Sequence, residues 1–211
     1  MMVLVCSPAI QNYFDSIGTE LRKQHSLAQQ AREKNLDPES YVDIPLAISV
    51  AQKTEALIAS VAPQIKDSGI VAAIEELEKK YGAGDWRVAL EIAGKVAEQK
   101  FCQFENLQEA IEIGIRTGFS YVTLGSVSAP LEGFVEMKFK KRIADNKDYM
   151  ALYFSGPIRG AGGTAIAICI LIADYLRQKF AVAEYDIQDI EVARYQVELD
   201  DYLSKIAHRQ Y

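Results

Sequence analysis

The feature that most constrains this chain is a change of hydrophobic period near residue 124. Before it, apolar residues recur at three- and four-residue steps, the signature of helices with one buried face. Ile10, Tyr13, Phe14, Ile17, Leu21, Ala28 and Ala31 predict one long amphipathic helix over residues 8–34. Asn35-Leu36-Asp37-Pro38 ends it, because Pro38 cannot continue a helix and Asp37 favours a turn. A second helix is expected from about Pro45, with Val50, Thr54, Leu57, Ile58 and Val61 on one face. A third carries Ile70, Ile74, Leu77 and Tyr81 up to the break at Gly82-Ala83-Gly84. Asp85 is placed to cap a fourth, with Trp86, Ala89, Ala93, Val96 and Ala97 turned inward. A fifth carries Leu107, Ile111, Ile115, Phe119 and Val122.

After a loop over 124–130, residues 134–140 alternate apolar and polar, which predicts a strand with one wet face. Asp145-Asn146-Lys147-Asp148 reads as a turn, and 150–154 as a second, wholly apolar and buried strand pairing with the first in a hairpin. The glycine segment 156–164 then leads into a buried helix ending near Gln178, followed by a short strand at 181–183 and a charged helix over 187–207. The expected fold class is therefore mostly α with a small β element (α+β): a helical bundle packed on a short β-hairpin near 133–155. A boundary near residue 40 separates an N-terminal helix (1–40), an interaction segment suited to self-association through residues 8–34, from a globular α-rich domain (41–211).

Composition narrows the function. Half the residues are apolar and a quarter charged, so the chain can bury a core. A net charge of −6 excludes coating nucleic acid by bulk charge and leaves only a local basic patch for such contact. Cys6, Cys102 and Cys169 are scattered and form no C-x-x-C pair, which suits free thiols in a reducing, cytoplasmic setting. The apolar run 165–173 is too short for a membrane span, and residues 1–6 lack the basic flank of a signal peptide.

Three groups of residues invite a functional reading. Gly156, Pro157, Gly160, Gly162, Gly163 and Thr164 sit between strand and helix, where backbone N–H groups can face an anion. Gly163 occupies the lysine slot of a P-loop, so that motif is excluded. Gly160-x-Gly162-x-x-Ala165, with Glu184 downstream, matches a relaxed dinucleotide pattern, but a doubly wound sheet needs more βα units than the remaining chain supplies. The segment reads as a structural turn presenting Arg159. A free-standing nucleotide-binding protein built on this loop is the alternative function, and a pure protein-interaction module built on the first helix is a third.

Lys138, Lys140, Lys141 and Arg142 run along the first strand and past its end, and together with Arg159 they are candidate DNA-phosphate contacts. The plainer interpretation is an edge strand whose lysines block unwanted pairing. Glu191, Glu198, Asp200 and Asp201 cluster in the last helix, yet Asp200 and Asp201 point about 100° apart and no partner motif completes a two-metal site. His25 and His208 have no neighbours at zinc-ligand spacing, and Cys169 sits in an apolar helix as a core residue. No catalytic or metal site is read from these residues.

The strings themselves carry a resemblance. Tyr149-Met150-Ala151-Leu152-Tyr153-Phe154-Ser155-Gly156-Pro157-Ile158-Arg159, Gly162-Gly163-Thr164 and Leu171-Ile172-Ala173-Asp174-Tyr175-Leu176-Arg177 resemble the N-terminal region of the large subunit of archaeal D-family DNA polymerase. Ala31-Arg32, Leu36-Asp37-Pro38, Asp43-Ile44-Pro45, Glu55-Ala56-Leu57, the run from Gly125 to Gly133 and Arg209-Gln210-Tyr211 agree in order. Leu124 departs from an expected acid and Ser155 from a usual alanine. That family's subunit continues for several times this length, so the resemblance implies either its N-terminal fragment or the first piece of a split subunit. It also implies a scaffold for a Mg²⁺-dependent DNA-directed DNA polymerase, supporting catalytic barrels and flanking DNA. The implied partners are the remainder of the large subunit, a small 3′–5′ exonuclease subunit and, through the complex, DNA. Magnesium and zinc belong to the rest of the parent polymerase, and no cofactor is expected in this chain.

Overall fold

A computed structural model describes residues 7–36, 47–123, 129–160 and 163–206. The first helix, α1 (Pro8–Glu33), starts where Ser7 Oγ accepts from the Ile10 amide, with proline in the first turn. None of its residues is buried. The expected start of the second helix at Pro45 lies outside the described residues. The helix described there, α2 (Val50–Ala59), begins where Ser49 Oγ accepts from the Gln52 amide at 3.1 Å. Two further caps follow the same chemistry, satisfying otherwise orphaned amides. Asp85 accepts from the Arg87 amide at 2.8 Å and opens α4 (Trp86–Ala97). Asn106 accepts from the Glu109 amide at 2.9 Å and opens α5 (Leu107–Val122). Between α2 and α4 lies α3 (Ile70–Tyr81), which begins and ends on glycines with positive φ, Gly69 and Gly82.

Two apolar cores flank the α4–α5 pair. Ile58 of α2, Ile70, Ile74 and Leu77 of α3, and Val88 and Ile92 of α4 form the first, with Ile113 and Tyr121 of α5. Ala93 and Ala97 of α4 join Ile111, Ile115 and Phe119 of α5 in the second. That second core is completed by the hairpin and by α6 (Thr164–Lys179), through Phe134, Met137, Cys169, Ile172 and Leu176. The two central helices lie very close. A Cβ on Gly114 would sit 2.7 Å from the Ala93 carbonyl oxygen, and one on Gly118 2.6 Å from that of Ala89.

The sheet is one antiparallel pair, β1 (Phe134–Lys141) with β2 (Asp148–Phe154), paired Met137 to Leu152 and Phe139 to Met150. An irregularity between Phe134 and Glu136 resets the alternation. Beyond it, Met137, Phe139, Met150 and Leu152 face the second core, while Glu136, Lys138, Lys140, Tyr149 and Tyr153 take the other face. The last described helix is α7 (Asp189–Lys205), which also buries none of its residues.

The mostly α architecture with a small hairpin agrees with the periodicity, but several expectations need correcting. Trp86 is 57% exposed rather than inward, because as first residue after the Asp85 cap it sits on the solvent side of α4. Leu107, in the equivalent place on α5, is also exposed. Val61 is exposed beyond the end of α2. β2 is half-buried, since one of its faces is turned from the core. The helix α6, apolar nearly all round, leaves Ile170 and Leu171 about half exposed. Residues 181–183 form one isolated bridge, Ala183 to Tyr149, instead of a strand.

Candidate nucleic-acid interface

The basic hairpin is held by a row of side chains on α5. Gln108, Glu112 and Arg116 stand four residues apart, hence on one stripe of the helix. They meet the edge of β1 that does not pair with β2. Phe139 N–H donates to Gln108 Oε1 at 3.2 Å and Met137 N–H to Glu112 Oε2 at 2.9 Å. Arg116 reaches the carbonyls before and at the start of the strand. Its Nη1 donates to Pro130 O and Phe134 O, both at 2.7 Å, and its Nη2 to Val135 O at 2.5 Å. Glu112 Oε1 accepts from Arg116 Nη2 at 2.7 Å, closing the fork. Arg116 is buried and its guanidinium lies 4.8 Å from the Phe134 ring centroid. Strand edges are normally open to further pairing. Here the helix supplies the missing partners and fixes the hairpin's position. Sequence reasoning did not single out these three residues, although their four-residue spacing was visible.

The candidate phosphate contacts differ in how their charge is occupied. Lys138 pairs with Glu136 at 2.7 Å and Lys141 with Asp148 at 2.9 Å. Arg142 lies 3.1 Å from Asp145 and donates to the Glu184 carbonyl. Lys140 instead lies 5.3 Å from the Tyr153 ring centroid, and the Tyr153 hydroxyl holds its amine above the usual lysine range. It has no carboxylate partner among the described residues. Arg159 is exposed and likewise has no partner among them. Exposed ion pairs are worth little in water, so the paired cations could also be exchanged for phosphate. Lys140 and Arg159 require no such exchange.

The glycine segment forms a tight 3₁₀ turn over Gly156–Gly160. Ile158 is its anchor, buried where a Cβ on Gly133 would come within 2.9 Å of it. The backbone is pinned beside it, since Ser155 N–H donates to Gly133 O at 2.9 Å. Gly156 (φ 66°) and Gly163 (φ 79°) take left-handed conformations that favour glycine, and Gly163 precedes Thr164 at the start of α6. Gly160 has open space around it. Gly162 lies outside the described residues, and Pro157 is the second residue of the 3₁₀ turn. The strand entering this turn belongs to an antiparallel pair, unlike the parallel unit of a dinucleotide fold.

The acidic residues of α7 do not converge. Glu198 pairs with Arg194, Asp201 with Lys205, and Glu191 accepts from the Gln188 amide in a capping box. Among the described residues no group of three or more His, Cys, Asp or Glu could hold a metal, and no helix is long and apolar enough to cross a membrane. Cys169 lies in the second core, where burial pushes its thiol up to about 12.

Fold and site together define a helical domain that carries a firmly held basic hairpin. A sequence model described as "DNA polymerase II large subunit DP2, N-terminal" matches residues 12–211. The chain is 43% identical over 199 residues to the DNA polymerase II large subunit of Nanoarchaeum equitans, covering 94% of this chain and 16% of that protein. It is 36% identical over 203 residues to that of Pyrococcus furiosus, covering 96% and 15%, and 35% identical over 211 residues to one from Methanococcus maripaludis, covering 100% and 18%. The chain belongs to this archaeal polymerase family, as the N-terminal domain of the DNA polymerase II large subunit. It spans less than a fifth of the length of these relatives.

Proposed function

We propose that this chain is a non-catalytic scaffold of a replicative DNA-directed DNA polymerase, with residues 41–211 as its structural body and its hairpin directed at DNA. The observation that carries the reading is the α5 grip on β1. Arg116, Glu112 and Gln108 fix the hairpin backbone while leaving Lys140 and Arg159 exposed without carboxylate partners among the described residues. A rigid mount with available cations suits sequence-independent contact to phosphates. Lys138, Lys141 and Arg142 lie on the same hairpin and can reach a phosphate by exchanging their carboxylate partners. The glycine turn sets the position of Arg159 through buried Ile158.

In this reading the chain acts with the remainder of the large subunit and with a small 3′–5′ exonuclease subunit. Magnesium and zinc are held elsewhere in that assembly. The DNA role is tested by the salt dependence of primer–template binding by the assembled polymerase. Lys140→Gln with Arg159→Gln should weaken binding and flatten the slope, by about 0.9 for each phosphate no longer neutralised. Unchanged affinity and slope would remove the hairpin from the DNA path. The scaffold role is tested by leaving this chain out of the reconstituted enzyme.

A further inference from the structure

The outward face of the hairpin interleaves cations with aromatic rings. Glu136, Lys138 and Lys140 on β1 pair in that order with Tyr153, Ala151 and Tyr149 on β2. The Lys138 and Lys140 ammonium groups lie 5.5 Å and 5.3 Å from the centroid of the half-buried Tyr153 ring. Tyr149 meets the ring of Tyr185 at 4.9 Å, which carries the aromatic row past the edge of β2. Tyr185 is held in turn, its hydroxyl donating to the Glu191 carboxylate. Glu136 is the one acid of this face, and it already pairs with Lys138. Ala151 is the smallest residue of the face and stands between the two strand tyrosines.

Contact with phosphates gives a use to the lysines but none to the rings. A ring flanked by cations is the combination that holds an unpaired nucleotide: the aromatic face stacks a base while the ammonium groups reach the phosphates beside it. An ammonium over an exposed ring is weakly held, so a base can take its place and release the lysine to a phosphate. Tyr149 and Tyr153 stand four residues apart, about 13 Å at a rise of about 3.3 Å per residue. That span matches a short run of single strand rather than one nucleotide. The row is also fixed from beneath. Leu152 and Phe154, on either side of Tyr153, pack on the second core, and the Met137 and Phe139 amides, on either side of Lys138, are held by Glu112 and Gln108. A duplex keeps its bases stacked inside and offers such a face only phosphates. We infer that the outer face of the hairpin is a platform for single-stranded DNA, with Tyr153 stacking a base and Lys138 and Lys140 taking the adjacent phosphates.

This inference rests on the proposed contact between hairpin and DNA and adds which form of DNA is held. Fluorescence anisotropy on the assembled polymerase, with an oligothymidylate and with a blunt duplex of the same length, separates the two claims. Tyr153→Leu should weaken oligothymidylate binding about fivefold or more and leave duplex binding unchanged. Tyr153→Phe keeps the ring and should bind as the parent does. Irradiation of an oligonucleotide carrying iododeoxyuridine should cross-link the base to Tyr153, located by mass spectrometry, a readout on the parent protein that does not depend on how the leucine variant folds. Unchanged oligothymidylate binding by Tyr153→Leu, with loss on Lys140→Gln with Arg159→Gln, would overturn the platform and leave phosphate contact standing. Loss in neither variant would remove both. Equal loss on the two ligands, or loss in Tyr153→Phe, would show that the tyrosine only steadies the lysines and would overturn base stacking. So would cross-links that avoid the hairpin altogether.

Discussion

Arg116 and Phe134 meet twice, through the 2.7 Å hydrogen bond from the guanidinium to the Phe134 carbonyl and through the ring that the same guanidinium faces at 4.8 Å. One buried cation thus joins the helical layer to the hairpin. Removing it leaves Glu112 Oε1 and several carbonyls without the donor they share. Arg116→Ala should cost about 3–5 kcal/mol, as for other broken buried pairs. Arg116→Lys should recover only part of this, because an ammonium cannot reproduce the planar fork. Urea unfolding followed by circular dichroism measures both. A destabilisation below about 1 kcal/mol for the alanine variant would show that the grip is not structural.

The closeness of α4 and α5 gives a second expectation. A methyl group at position 118 would press on the Ala89 carbonyl oxygen, which is backbone and cannot step aside. Gly118→Ala should therefore destabilise by about 1–3 kcal/mol despite the better helix propensity of alanine. Gly94→Ala is the control. Its nearest neighbour is the far end of the Lys179 side chain, at 3.2 Å, and it should be near neutral or stabilising. Equal effects at the two positions would contradict the packing described.

Tyr121 is fully buried, donates to Glu78 Oε1 at 2.8 Å and accepts from the Gly84 amide at 2.9 Å. Burial, then Glu78, raise its ionisation above the ordinary tyrosine value of 10.0. A group raised in the folded state contributes stability that is fully present below its unfolded value and is lost as pH climbs toward the folded one. Stability should therefore decline above about pH 10. Tyr121→Phe should cost about 1–2 kcal/mol at neutral pH and make that alkaline decline shallower. Chemical unfolding at about pH 7 and about pH 10.5, on either side of the ordinary tyrosine value, would show it. A variant declining as steeply as the parent would assign the alkaline effect to other groups.

The hairpin cations should not be equivalent. Lys140 and Arg159 lack carboxylate partners among the described residues, whereas Lys141 must leave Asp148 to reach a phosphate. Lys140→Gln should weaken DNA binding by the assembled polymerase more than Lys141→Gln does, measured by fluorescence anisotropy at several salt concentrations. The reverse order would mean that ion pairing within the hairpin does not decide which cation is available.

Much of the helical order was legible, because helices bury one stripe and the stripe repeats. The capping role of Asp85 and the inward positions of Ile70, Ile74 and Leu77 follow directly from that rule. Trp86 escaped it because a first-turn residue does not yet share the face of those that follow. Ile170 and Leu171 escaped it for a different reason: an all-apolar helix carries no periodic signal saying which side is covered. The basic hairpin was readable as a string of cations, but which charges are already paired depends on the cross-strand register that sets Lys141 against Asp148 and on the turn that brings Asp145 to Arg142. The α5 grip was hidden for the same reason. Gln108, Glu112 and Arg116 look like an ordinary solvated helix face until the strand edge is placed beside them.

The central claim is that this chain supports a polymerase without performing its chemistry. The most direct measurement is primer extension by the reconstituted enzyme, prepared with the remainder of the large subunit and the small subunit, with and without this chain. Synthesis only in the complete mixture, with none by this chain alone, is the predicted result. Equal synthesis when the chain is left out would contradict the scaffold role, and synthesis by the chain alone would contradict its non-catalytic character.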